Sequence, residues 1–164
     1  MEKGSSRGGA EGRGRLPFGV YLRWKRYLFA IISRVGLAAY SRFPVFGSLR
    51  ASLAVIRDAD RFLVIDRSDG RGLSFPGGLA HPWETAEQAL VREVSEETGL
   101  SVKGAARLFS YDASHEVPCS ITVFAVEAEG ELRESWEGSP TWLPVSEIQP
   151  TLLKSQQKIV ERLA

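Results

Sequence analysis

The chain is 164 residues long, with 43% hydrophobic and 25% charged residues, enough for one soluble domain with a buried core plus an appendage. A single cysteine excludes an internal disulfide framework, and its apolar setting (Cys119-Ser120-Ile121-Thr122-Val123-Phe124) marks it as a buried structural thiol, with reducing cytoplasm as the expected compartment. The net charge of +1 conceals an asymmetry: residues 1–50 hold ten Lys/Arg against two Glu, or +8, leaving 11 basic and 18 acidic residues, or −7, for 51–164.

Residues 1–15 are rich in Gly, Ser and Arg and read as a disordered basic tail. Residues 16–48 read as a basic amphipathic helical extension: Pro17 stands before it and Pro44 beyond its end. Its apolar residues Leu28, Ile31, Ile32, Val35 and Leu37 recur at three- and four-residue spacings. Its longest apolar run, Tyr27 to Tyr40, is broken by Arg34 and is shorter than the ~20 apolar residues of a membrane span. It also lacks a small-residue cleavage site, which argues against a signal peptide. Two roles are open for it. It could lie on an anionic membrane surface, with Arg23, Lys25, Arg26 and Arg34 among headgroups and Trp24, Leu28 and Ile31 partly buried. It could instead pack on the domain or form a homodimer contact. Charge alone would suit nucleic acid, yet no RNA-binding motif accompanies it, so nucleic acid is not an expected partner.

The compact domain is expected over 49–164. Residues 51–56 and 62–65 are strand-like runs flanking a hairpin turn at Asp58-Ala59-Asp60, and Leu73-Ser74-Phe75 is a short extended piece before Pro76-Gly77-Gly78. Thr85 to Thr98 is the strongest helix. Thr85 and Gln88 form a capping-box pattern, and Gly99 stands where a left-handed cap would end the helix. Val102 to Asp112, Ser120 to Glu127 and Thr141-Trp142-Leu143 read as further strands, with a last helix within Thr151 to Leu163. Strands mixed with separated helices suggest a sheet covered by helices.

The chemistry concentrates in that strongest helix. At about 100° per residue, Glu93, Glu96 and Glu97 share one face, together with Ala86 and Ala89, while Leu90, Val91 and Val94 project elsewhere and anchor the helix. Three carboxylates on one face repel one another unless a cation binds them, and hard oxygen donors suit Mg2+ or Mn2+. Arg92, four residues before Glu96, is placed to neutralise and orient part of the cluster, and the paired glycines upstream admit close backbone approach to a ligand or metal. Without the wider pattern, a solvated charged helix face would be the plainer reading.

Residues 78–100 resemble the Nudix box, G-x5-E-x7-R-E-U-x-E-E-x-G-U with U a bulky aliphatic residue. Gly78, Glu84, Arg92, Glu93, Val94, Glu96, Glu97, Gly99 and Leu100 fill every defined position. At residue usages of roughly 5–10%, seven fixed matches arise by chance on the order of once in 10⁸ windows, so coincidence is set aside. The resemblance extends over roughly 49–164 and implies an α/β/α sandwich around a mixed sheet, with the helical extension outside it. It implies hydrolysis of a nucleoside diphosphate linked to another moiety, with Mg2+ as cofactor and Mn2+ as a substitute. By position, Glu93 and Glu97 are implied metal ligands, Glu96 a further ligand or water-orienting group, and the Gly78 carbonyl a metal contact. Arg92, Glu84 and Gly99 support the loop and helix.

A further ligand from a downstream loop is implied, and Glu137, shortly before Trp142, has a suitable spacing; Glu116 and Glu134 are rivals. Phe75, Arg71 and Trp136 are candidate substrate contacts, as are Trp83 and Tyr111 for base stacking and Arg50 and Arg67 for phosphate. For each of these, packing or surface charge is the plainer reading. His81 reads as solvent-facing and His115 as a loop residue. Two alternatives to a small-nucleotide hydrolase stand beside it: a nucleotide-sensing module without catalysis, and an RNA 5′-end or cap pyrophosphohydrolase.

Overall fold

The computed structural model describes residues 49–115 and 118–163, so the expectations for the tail, the basic helix and Glu116 lie outside the described residues. Among the described residues eight strands form two sheets. They are β1 (Leu49–Val55), β2 (Arg57–Asp58), β3 (Arg61–Arg67), β4 (Leu73–Ser74), β5 (Gly77–Leu79), β6 (Ser101–Ala113), β7 (Cys119–Glu129) and β8 (Gly138–Pro144). The helices are α1 (Ala86–Thr98), the one-turn α2 (Val145–Ile148) and α3 (Gln157–Leu163), the last preceded by a 3₁₀ turn at Lys154–Gln156. The first sheet runs β5-β1-β7-β6, and β3 is the centre of the second, pairing with β2, β4 and β8. The first sheet is mixed: β1 is parallel to β7 and antiparallel to β5, and β6 is antiparallel to β7.

The alternation of β1 explains the layering. Ala51, Leu53 and Val55 face one core with Phe62, Val64, Phe75, Ile121, Val123 and Ile159, between the two sheets and α3. Ala54 and Ile56 face the other core with Leu63, Phe124, Leu90 and Val94, beneath α1. A strand covered on both faces is apolar almost throughout, which is why this segment reads as a continuous run. Ser52 lies on the α1 side, and its hydroxyl donates to the Ala86 carbonyl at 2.7 Å, tying the first turn of the helix to the sheet.

Two local features go beyond the sequence expectations. The hairpin at Ala59-Asp60 closes only β2 on β3, because the chain leaves the first sheet at Ile56 and enters the second; β1 itself pairs with β5 and β7. Pro76-Gly77-Gly78, which carries no strand signal in the sequence, leads into β5, with Gly77, Gly78 and Leu79 registered on Leu53, Ser52 and Ala51. A composition typical of turns hides a strand whose glycines are required by what lies against them.

Helix α1 begins and ends on its sequence signals. The Thr85 hydroxyl accepts from the Gln88 amide at 3.1 Å, and the Gln88 side chain accepts from the Thr85 amide at 2.9 Å. Gly99 closes the helix at φ 76° with its N–H on the Ser95 carbonyl. Leu90 and Val94 are fully buried, but Val91 is 46% exposed and anchors nothing, which corrects the expected apolar face. Thr85→Ala is expected to cost about 1 kcal/mol, read as a lower urea midpoint with an unchanged slope. Among the described residues no helix is long and apolar enough to cross a membrane.

Candidate active site

The site lies where α1 crosses the glycine strand β5. Glu93 and Glu97, one turn apart, point inward and are 9% and 2% exposed. The Gly77 amide donates to Glu97 Oε2 at 2.7 Å. A Cβ on Gly78 would stand 2.7 Å from Glu93 Oε1, so the Glu93 carboxylate occupies the space that any side chain at 78 would need. The paired glycines Gly77 and Gly78 therefore bring backbone against buried carboxylates.

Arg92 ties the site together. Its Nε and Nη2 donate to the two oxygens of Glu84 at 2.8 and 2.9 Å, its Nη1 donates to Glu93 Oε1 at 2.8 Å, and its Nη2 also reaches the Leu79 carbonyl at 3.2 Å. This fork joins the helix to the loop after β5, as the bidentate geometry of a guanidinium allows. Glu84 also accepts the His81 amide at 2.9 Å, and the Arg92 hydrogen bonds, followed by that amide, hold its carboxyl down at about 2. Arg50 secures the same loop through the carbonyls of Pro82 (3.4 Å) and Glu84 (3.2 Å), which commits its side chain to structure.

The inner carboxylates are pushed the other way. Burial raises Glu97 well above the ordinary 4.5, Glu137 and Glu93 add repulsion, and the Gly77 amide opposes them. Burial likewise raises Glu93, against the pull of Arg92, with Glu137 and Glu96 adding to the rise. These effects place Glu137, from the loop before β8, beside the two helix carboxylates, close enough to share a hydrogen bond with Glu97. Glu96 stands at the rim with 60% of its side chain exposed, 3.4 Å from Arg92 Nη1.

Among the described residues no three acidic, imidazole or thiol side chains already stand as a closed cluster of donors. One oxygen of Glu93 is taken by Arg92 and one of Glu97 by Gly77. The donor set nevertheless fits a hard divalent cation. Three carboxylates repel one another in a partly dry place, the missing Cβ of Gly78 lets the Glu93 carboxylate lie against the backbone, and magnesium ordinarily keeps waters and substrate phosphates in place of a full protein cage.

A pH dependence follows. A carboxyl whose folded pKa exceeds its unfolded value takes up protons on folding, so its contribution is neutral well below 4.5 and destabilises as pH rises through the window above it. Chelator-treated protein should therefore lose thermal stability between pH 5 and pH 8 relative to Glu97→Gln, and added Mg2+ should raise Tm more at pH 8 than at pH 5. Equal Mg2+ effects at the two pH values would contradict this.

The other sequence candidates scatter. Phe75 is 1% exposed and belongs to the core between the sheets, so it presents no stacking face in this structure. Arg71 and Arg67 both bond Asp69. Trp136 is 43% exposed beside Glu137, and Trp83 is 78% exposed, 5.0 Å from the His81 ring. The Tyr111 hydroxyl donates to the Ser155 carbonyl at 2.8 Å. Tyr111, His115, Lys154 and Lys158 line a cavity of about 230 Å³ at β6, the sheet edge opposite β5. Glu134 is an exposed acceptor for the Ser139 hydroxyl. Cys119 is partly buried against the first core. Sequence reasoning passed over the Gly77 amide and Asp69. The first had a signal in the doubled glycine, but a lone Asp between two arginines in a turn has none.

A two-sheet sandwich that sets the buried glutamates of an Arg-Glu-Val-Ser-Glu-Glu helix against a Gly-Gly strand defines a Nudix-type protein. The family model described as NUDIX domain matches residues 47–163, and the chain belongs to that family. Its relatives include the Bacillus subtilis “Putative 8-oxo-dGTP diphosphatase YtkD”, 44% identical over 42% of this chain and 42% of that one. The ADP-ribose pyrophosphatase of Methanocaldococcus jannaschii is 34% identical over 62% of this chain and 60% of its own. The matched region thus spans less than two thirds of either relative. The MutT NUDIX hydrolase structure from Burkholderia pseudomallei superposes with a TM-score of 0.65 at 21% identity, over 71% of this chain and 98% of that one, a likeness of fold.

Proposed function

We propose that the protein is a divalent-metal-dependent pyrophosphohydrolase, acting on a nucleoside diphosphate joined to a further moiety. The observation that carries the reading is the pair of buried carboxylates, Glu93 and Glu97, held against the Gly77–Gly78 backbone with Glu137 beside them. Mg2+, with Mn2+ as its substitute, would be held by Glu93, Glu97 and Glu137, with Glu96 and the Gly78 carbonyl as further donors. When bound, such an ion offsets charge on phosphoryl oxygens and acidifies a water. The chain's own groups do the rest. Arg92 fixes the Glu93 rotamer, and the Gly77 amide fixes that of Glu97. Glu96, 60% exposed at the open rim, would serve as a further ligand or orient the attacking water.

Nucleoside triphosphates and ADP-ribose-like compounds form the substrate class. The names of the relatives support this, because 8-oxo-dGTP and ADP-ribose each contain the linkage such a site would cleave. The test incubates the full chain with 8-oxo-dGTP, the common triphosphates, ADP-ribose, nucleotide sugars and dinucleoside polyphosphates, under Mg2+, Mn2+ or chelator. Chromatography should show a nucleoside monophosphate from at least one of them, with metal only. A folded, metal-binding protein that cleaves none would instead be a nucleotide-sensing module.

A further inference from the structure

Glu137 reaches the carboxylate pair from a loop, and something must hold that loop where like charges would repel it. Among the described residues the β3–β4 turn is so placed. The Ser68 amide donates to the Glu137 carbonyl at 2.8 Å, and the Ser68 hydroxyl donates to the Trp136 carbonyl at 3.0 Å. Two consecutive carbonyls of the Glu137 loop are thus held by one residue.

The turn that carries Ser68 is fixed from within by a buried carboxylate. The Asp69 side chain is 0% exposed. Arg67 donates to it through Nε and Nη2 at 3.1 and 2.7 Å, and Arg71 through its amide and Nε at 3.2 and 2.8 Å. The Arg67 amide meets the Gly72 carbonyl at 3.1 Å and the Gly70 amide meets the Arg67 carbonyl at 3.2 Å, which closes the turn. Burial alone would raise Asp69, but the hydrogen bonds from Arg67 and Arg71 outweigh it and hold the carboxyl at about 2, so it is ionised throughout the neutral range. Beyond the turn, Arg67 pairs with Gly138, immediately after Glu137, so the clamp and the ligand loop meet on adjacent strands.

We propose that Asp69, acting through Ser68, is a positioning residue for Glu137: the Arg67–Asp69–Arg71 clamp fixes the turn whose hydrogen bonds present the Glu137 carboxylate to Glu93 and Glu97. The proposal rests on the reading that Glu137 is part of the metal site. It also gives Arg67 and Arg71 a role other than gripping phosphate. With Asp69 neutral, two guanidiniums face each other without an anion between them, the turn opens, and Ser68 no longer holds the loop.

The test measures Mn2+ affinity by electron paramagnetic resonance, and kcat and KM with Mg2+, on wild type, Asp69→Asn, Glu137→Gln and the double variant, all as full chains. Ser68→Ala, which removes only the hydroxyl bond to Trp136, is included in case Asp69→Asn does not fold. Glu137→Gln should weaken Mn2+ binding by about 10-fold or more, and Asp69→Asn by about 10-fold, with kcat falling more than KM changes. Ser68→Ala should weaken it by about 2- to 3-fold. In the Glu137→Gln background the Asp69 substitution should have no further effect on Mn2+. The same loss in both backgrounds would show a general structural role and overturn the proposal, as would wild-type Mn2+ binding in Asp69→Asn and Ser68→Ala while Glu137→Gln binds weakly. Wild-type binding in Glu137→Gln would overturn the reading of Glu137 itself, and the proposal with it.

Discussion

Glu97→Gln is expected to lower kcat roughly 10³-fold while leaving the fold intact. The amide oxygen of glutamine can still accept the Gly77 N–H, so the link between α1 and β5 that Glu97 makes at 2.7 Å survives. What disappears is a negative charge in a place where burial and Glu137 already oppose it. The two consequences point in opposite directions, which makes the variant informative. Turnover and metal affinity should fall together, while the thermal stability of metal-free protein at pH 8 should hold or rise. A loss of activity accompanied by a loss of stability would mean that Glu97 is chiefly a structural residue.

The second large effect separates the two glycines of β5. Gly77 adopts φ 134°, a region that L side chains rarely enter, and a Cβ there would run into the Ser52 carbonyl and stand 2.9 Å from Leu53 Cα. These are backbone atoms of a central strand and have nowhere to go. Gly77→Ala should therefore cost at least about 3 kcal/mol and lower Tm by several degrees or more. Gly78→Ala meets first the Glu93 carboxylate, at 2.7 Å from Oε1 and 2.9 Å from Cδ. That side chain can swing away, at the expense of its Arg92 bond, so stability should stay within about 1.5 kcal/mol of wild type while kcat falls about 10²-fold. Circular dichroism melts beside initial rates would read both, and equal losses of stability in the two variants would contradict the account.

The helix was legible because several local signals agreed on it. Thr85 and Gln88 cap one end, Gly99 ends the other, and the glutamates between them fall at turn spacing. The helical wheel also grouped Glu93, Glu96 and Glu97, but it could not say how far the sheet covers each. In the fold the first and last are nearly buried and Glu96 is at the rim, because β1 and β5 pass under one side of the face only. Val91 shows the same limit, since its apolar character promised an anchor and the neighbouring elements leave it exposed.

Strand β5 escaped notice because a short Pro-Gly-Gly run carries no alternation of side chains, and its partner β1 lies over twenty residues earlier. The switch of sheets at Ile56 is equally silent, for a hairpin signal reports a turn but not which strands continue past it. Glu137 is a candidate from its spacing before Trp142, whereas the Asp69 clamp that faces its loop depends on a contact 68 residues apart in the chain, between Ser68 and Trp136. Substrate identity is not written in the box at all, because those residues surround the carboxylates and not what a substrate would carry beyond them.

The most direct test of the central claim is hydrolysis in oxygen-18 water, with Mg2+, on whichever compound of the panel is cleaved, followed by mass spectrometry of the products. Attack of water on phosphorus predicts one oxygen-18 in a product phosphate group, in a reaction that chelator stops and Glu97→Gln all but abolishes. Label in a sugar fragment, or cleavage indifferent to both chelator and Glu97→Gln, would contradict the assignment of this site as a metal-dependent pyrophosphohydrolase.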